Sequence, residues 1–213
     1  MTYSKILLSA FALAVASSSF AQTESAPVTT TSSAGLLGQR YVAISGLTED
    51  FRNAGGLDNA FGGGIAANLP LTANLDLGFG YGYERLSDSG LKYREHAINA
   101  SLTPFVTVAE NVKVFADATI GYAWAKARGF GGNASDDDGI WSLGAGAELG
   151  LGARTALTGR VSYNDAFDGN SDGSWAFTVG VNHWFTEKVA GLAGVTFVES
   201  DSIVYQIGVG FRF

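Results

Sequence analysis

Residues 74–84 read NLDLGFGYGYE, with Leu75, Leu77, Phe79, Tyr81 and Tyr83 at one parity and Asp76, Gly78, Gly80, Gly82 and Glu84 at the other. One face is wholly apolar and the other small or polar. Side chains of a β-strand alternate between faces, so a period of two predicts a strand lying between two different surroundings. The pattern recurs in Val112, Val114, Ala116, Ala118, Ile120, Tyr122 and Trp124 against Lys113, Phe115, Asp117, Thr119, Gly121 and Ala123. It returns in Trp141, Leu143, Ala145, Ala147 and Leu149 against Ser142, Gly144, Gly146 and Glu148, and again at 157–163, 175–181 and 203–213. With weaker segments near 40–48, 58–69, 94–104 and 189–198, the chain is expected to form ten strands. Their lengths cluster near the roughly 9–11 residues that a tilted transmembrane strand needs.

The connections alternate too. Those at 68–72, 109–111, 150–153 and 186–188 are short, and those at 48–57, 85–93, 126–139 and 165–173 are longer. Short turns at one end and long loops at the other fit antiparallel strands crossing an outer membrane, with both termini on the short-turn, periplasmic side. The 199–202 connection is short on the long-loop side. Pro104 has no N–H for a ladder, so the fourth strand is expected to end there.

The first residues, MTYSKILLSAFALAVASSSFAQ, place Lys5 before an apolar run from Ile6 to Ala16 and end in small residues. This reads as a secretory signal peptide over 1–21, the run being far shorter than the roughly 20 residues of a membrane-spanning helix. Its removal with Lys5 takes the formal charge from -7 to -8, which argues against a nucleic-acid partner. There is no cysteine, hence no disulfide, no thiolate metal site and no lipid-modified N-terminal cysteine. Residues 22–38, rich in Ser and Thr and without periodicity, are expected to be a flexible lead-in to a barrel over 39–213.

A soluble barrel also alternates, with its apolar face inward. The aromatic residues separate the two cases. Tyr81, Tyr83, Tyr122, Trp124, Trp141, Tyr163 and Trp175 lie on the apolar face at the long-loop end, and Phe185, Phe211 and Phe213 on the same face at the other end. Two aromatic girdles bounding an aliphatic band are what two membrane interfaces select. The expected fold is all-β, a closed antiparallel transmembrane β-barrel, since every backbone group in lipid must be paired within the protein.

The chain stops on YQIGVGFRF, with Tyr205, Ile207, Val209, Phe211 and Phe213 on one face. That ending resembles the terminal signature by which outer-membrane barrels are recognised for assembly. With the signal peptide and the alternating hairpins, residues 40–213 resemble the small barrel family of OmpA-like, OmpX-like and opacity proteins. The resemblance implies an outer-membrane location, lipid and lipopolysaccharide as surroundings, and the barrel assembly machinery as a partner of the C-terminal strand. The family typically has eight strands, so eight is the alternative to the ten counted. A monomer without cofactor is expected.

By parity the lumen receives Asp76, Asp117 and Glu148 with Lys113, Arg160 and Arg212. Three acids face three bases, as an ion-paired plug or as the filter of a narrow pore for small solutes. Inward glycines of the long-loop half, Gly80, Gly82, Gly121 and Gly144, would leave room for a water-filled vestibule. Asp168, Asn170, Asp172 and Gly173 match the first half of a calcium loop, but the position for its bidentate Glu is Val179, so a polar turn is the alternative. Asp136, Asp137 and Asp138 read as a solvated acidic loop, or as ligands of divalent ions shared with lipopolysaccharide phosphates. His96 beside Glu95 is the one rim position for a catalytic base; no nucleophile accompanies it, and His183 reads as interfacial packing. An enzyme is not expected. A barrel that anchors outer loops, for adhesion or envelope integrity, is favoured over a narrow porin and over a rim hydrolase.

Overall fold

The computed structural model describes residues 34–51, 59–88, 91–129, 132–168, 172–199 and 202–213. Residues 1–21, read as a signal peptide, and residues 22–33 of the expected lead-in lie outside them. Ten strands follow one another: β1 (Tyr41–Phe51), β2 (Ala60–Thr72), β3 (Leu75–Asp88), β4 (Leu91–Ala109), β5 (Val112–Gly129), β6 (Gly132–Gly150), β7 (Thr155–Ala166), β8 (Ser174–Trp184), β9 (Val189–Val198) and β10 (Ser202–Arg212). Each pairs antiparallel with its neighbours in sequence, and β1 pairs with β10 from Tyr41↔Arg212 to Phe51↔Ser202. The sheet is therefore a closed barrel with the ten strands counted and no free edge. At about 4.8 Å between strands and a tilt of about 40°, ten strands close at a backbone radius of about 10 Å, against about 8 Å for eight. That difference decides what can lie inside.

The alternation in the sequence is the alternation of the wall. Along β8 burial switches at every residue, and on β5 Asp117 and Thr119 are buried while Ile120 is 63% exposed. Ile207 at 70% and Leu143 at 56% are as bare. Aliphatic side chains presented outward all round a closed sheet fit a hydrocarbon solvent and exclude the soluble-barrel alternative.

Three expectations need correction. First, β4 does not end at Pro104 but continues to Ala109. Phe105 N donates to Asn74 O (2.9 Å) on the β3 side, so by alternation the missing N–H of Pro104 faces β5. There the ladder lapses between Leu102↔Ala118 and Phe105↔Phe115 and resumes in the same register. Second, most of the connections at 85–93 and 126–139 are strand, because the β3–β4 and β5–β6 hairpins run to Asp88↔Leu91 and Gly129↔Gly132. Asp136, Asp137 and Asp138 thus belong to β6, opposite Ala125, Trp124 and Ala123, rather than to a loop. Third, residues 34–38 do not form a flexible lead-in: Ala34, Leu36 and Leu37 are buried inside the barrel.

Candidate functional site

The lumen gathers the charges that parity assigned to it, in layers. At the end that carries Phe213, residues 34–39 enter the barrel and fill it. Leu36 packs with Tyr41, Ala43, Trp184, Ala190 and Leu192, and Leu37 packs with Phe105 and Phe115. The backbone is held as firmly as the side chains. Leu36 N and Leu37 N donate to Glu148 Oε2 (2.7 and 3.1 Å), Gly38 N donates to Asp76 Oδ2 (3.4 Å), and the Lys113 ammonium donates to Leu37 O. Asn182 Nδ2 and Trp184 Nε1 donate to Ala34 O (2.7 and 2.9 Å). Gly38 has φ 91°, a conformation that glycine adopts without strain, where the segment turns toward β1. Lys113 Nζ also lies 4.0 Å from Glu148 Oε1. Asp76, Lys113 and Glu148, read as members of a charge network, are therefore the clamp on a plug of main chain. Arg212 stands 4.0 Å over the ring of Trp184.

Midway up, Arg160 of β7 reaches across β6 to Asp117 of β5. Nε lies 2.8 Å from Oδ1 and an Nη 2.5 Å from Oδ2, and that Nη also donates to Ser142 Oγ (3.2 Å). The fork-on-carboxylate geometry is the strong form of an ion pair, and both groups are buried. Gly144 makes it possible. A Cβ there would stand 2.7 Å from both Arg160 and Asp117.

At three of the four glycines expected to open a vestibule, Gly80, Gly121 and Gly144, neighbours take the space. A Cβ on Gly80 would strike the amide of Asn99 at 2.8 Å, and one on Gly121 would strike Ile98 O at 2.5 Å. Above them Leu86, Tyr93, Ala97, Ala123, Ala125, Ala127 and Ile140 close over the lumen as one apolar cluster. Beside it lies a group that the sequence reading missed: Glu49, Glu84 and Glu95, all buried, with the Tyr93 hydroxyl donating to Glu95. Glu84 is at the inward parity of the deciding segment, Glu95 lies within the expected 94–104 strand but reads from sequence only as a rim acid beside His96, and carrying the parity one residue past 48 finds Glu49.

The aromatic girdle sits on the outer face as two patches. His96 joins the first, stacked on Trp124 (5.4 Å, 6°), 5.0 Å from Tyr83 and hydrogen-bonded through Nδ1 to Tyr81 OH (2.8 Å), with Tyr122 beside Trp124. Glu95 points the opposite way, into the barrel, so the structure does not bring the rim acid and base together. Trp141, Tyr163 and Trp175 make the second patch, with ring centroids 5.8 and 5.3 Å apart. At the terminal end Phe185, Phe211 and Phe213 are exposed, and His183 packs on Phe185 and bonds Thr155 Oγ1 (2.9 Å). Tyr205, Phe211 and Phe213 all face outward on the closing side of the barrel. Asp168 and Asp172 flank the β7–β8 connection, Asn170 lies outside the described residues, and Val179 is an outward residue of β8, where no calcium ligand would be of use.

The sequence matches no protein-family model and no curated protein. Among solved structures it superposes on the translocator domain of the autotransporter NalP from Neisseria meningitidis, with a TM-score of 0.52, 10% identity, and 83% of this chain and 88% of that one covered. This is the fold of a bacterial outer-membrane β-barrel. The barrel is also matched to Ail, the attachment invasion locus protein of Yersinia pestis (TM-score 0.45, 14% identity, 83% and 99% covered), and to the KdgM porin (0.46, 8%, 80% and 99%). At these identities the likeness concerns the fold. The bare aliphatic belt between two aromatic girdles fits that location, a wall in the outer membrane.

Proposed function

We propose that the protein is a closed, non-conducting outer-membrane barrel that braces the envelope and presents a raised strand wall at the cell surface. The observation that carries this reading is the plug, residues 34–39 seated in the periplasmic half of the lumen and clamped by Glu148, Asp76, Asn182 and Trp184. Burying Leu36 and Leu37 contributes about 1.5–3 kcal/mol each, and each backbone bond to the Glu148 carboxylate about 1.5–3 kcal/mol. Above the plug the Asp117–Arg160 pair and the apolar cluster over the lumen obstruct the same path. What faces the outside is then wall rather than pore, and β3 to β6 stand tallest, at 14, 19, 18 and 19 residues against 10 for β9. Adhesion or envelope bracing belongs on that raised side.

The test is single-channel recording of the refolded chain in a planar bilayer, wild type beside a Leu36→Asp/Leu37→Asp variant. A silent wild type and a variant that passes current fit the proposal. Steady ion-selective steps from the wild type refute it and make the protein a narrow porin.

A further inference from the structure

The outward faces of β3, β4 and β5 carry a charge pattern that the lumen does not use. Cross-strand pairing sets out the rows. His96 pairs with Tyr83 on one side and Trp124 on the other in the girdle; one step higher on the same face come Arg85, Arg94 and Lys126, and one step above that Lys92 and Arg128. A step is two residues, about 7 Å along the strand, and neighbouring strands lie about 4.8 Å apart. Five cations therefore occupy two rungs directly above the rings. Lys92, Arg94, Lys126 and Arg128 together line a surface cleft of about 200 Å³.

This arrangement is unfavourable by itself. Arg85↔Arg94, Arg94↔Lys126 and Lys92↔Arg128 set like charges directly opposite one another, which destabilises a strand pair. No ion pair from any of the five to a described carboxylate offsets it. The acid nearest on the same face, Asp137, lies one rung lower beside Trp124 and accepts from the Tyr122 hydroxyl. The geometry points to an anionic ligand supplied by the surroundings, and the height says which. Amphipathic rings mark the headgroup level. Cations one and two rungs above them, pointing sideways from the wall rather than up into solvent, stand where the phosphates of outer-leaflet lipid lie.

We infer that Arg85, Lys92, Arg94, Lys126 and Arg128 form a binding site for the phosphate groups of outer-leaflet glycolipid, gripping one flank of the barrel to its lipid surroundings. The site depends on the membrane placement of the girdle and not on the closure of the lumen, so it survives if the barrel conducts.

The experiment uses the refolded protein in phosphatidylcholine vesicles doped with fluorescently labelled diphosphoryl lipid A, reading energy transfer from the protein's tryptophans to the label. Wild type is expected to enrich the labelled lipid around itself above random mixing, and salt to weaken the enrichment. At about fivefold per cation at an anionic surface, Arg94→Ala lowers it about fivefold and Arg94→Ala/Lys126→Ala about thirtyfold, while Lys188→Ala in a periplasmic turn leaves it unchanged. Each variant is compared only after heat-modifiable migration shows it folded. Competition by millimolar inorganic phosphate would show that the site reads the phosphate itself, and its failure that the site needs the lipid-borne group; both outcomes support the site. Equal enrichment by wild type and the double variant, or equal enrichment of the dephosphorylated lipid, overturns it. So does binding of a soluble sulfated polysaccharide in the absence of lipid A enrichment, which would assign the cations to a different macromolecule.

Discussion

Replacing Arg160 by alanine removes one side of the ion pair at the centre of the barrel. The guanidinium makes two bonds to Asp117 and one to Ser142, and the two charged side chains are 2% and 7% exposed. Its loss leaves the Asp117 carboxylate enclosed without a counter-charge, a change that costs about 3–5 kcal/mol, or roughly two to four decades in the unfolding equilibrium. With an unfolding slope of about 2 kcal/mol per molar urea, the midpoint falls by roughly 1.5–2.5 M. Urea unfolding of the protein refolded in lipid vesicles, followed by tryptophan fluorescence, measures this directly. The companion variant, Asp117→Leu/Arg160→Met, removes both charges while keeping volume, and recovers most of the loss because no buried charge is stranded. In a planar bilayer the Arg160→Ala protein stays silent, since the 34–39 plug lies below the substitution. An Arg160→Ala midpoint within about 0.25 M of wild type, or a double variant no better than the single one, refutes the view that the pair braces the interior. Current through Arg160→Ala alone would show that the pair, not the plug, is the seal.

Gly144→Val places a side chain where Arg160 and Asp117 meet, so it is expected to separate the pair and to lower the same urea midpoint by an amount approaching that of Arg160→Ala; a midpoint equal to wild type contradicts the packing described. Glu148→Gln replaces a charged acceptor of the Leu36 and Leu37 amides with a neutral one, and hydrogen exchange at those two amides is expected to quicken roughly ten- to hundredfold. Unchanged exchange there would mean that the plug is held by its side chains alone.

The deciding segments were legible because hydrocarbon outside and polar groups inside act on alternate residues of the same strand. Above the girdle the outward face leaves hydrocarbon while the inward face is packed with small apolar residues, and that constraint ends. Lys126 and Arg128 on β5 and the three aspartates of β6 interrupt the apolar alternation, and 126–139 therefore reads as a loop although it is paired strand. Pro104 misled for a related reason: its rule concerns a missing donor, and the sequence does not say that the donor would have faced a two-residue lapse in the β4–β5 ladder. Parity put Asp117 and Arg160 in the lumen, yet their partnership across β6 depends on Gly144, which pairs with Asp117 one rung from the Gly146↔Arg160 pair and leaves the space between them open, and that requires the register. The plug was the least legible part. Residues 34–39 have no period, and their burial follows from the shape of the cavity that the other strands make.

Closure at three levels constrains where function can be sought. The periplasmic level is main chain held by side chains, the middle level is one ion pair, and the outer level is an apolar cluster between tall hairpins. The three differ in kind, so a solute path would require rearrangements of different kinds in series. The tall hairpins couple this closure to the surface. On β4 and β5 the inward residues Tyr93, Ala97, Ala123, Ala125 and Ala127 build the cap, while the intervening outward residues Lys92, Arg94, Lys126 and Arg128 build the cationic flank. Extending these strands past the girdle thus buries an apolar cluster on one side of the wall and sets a row of cations on the other, which on the proposed reading directs the exposed chemistry of the barrel sideways toward lipid rather than along its axis.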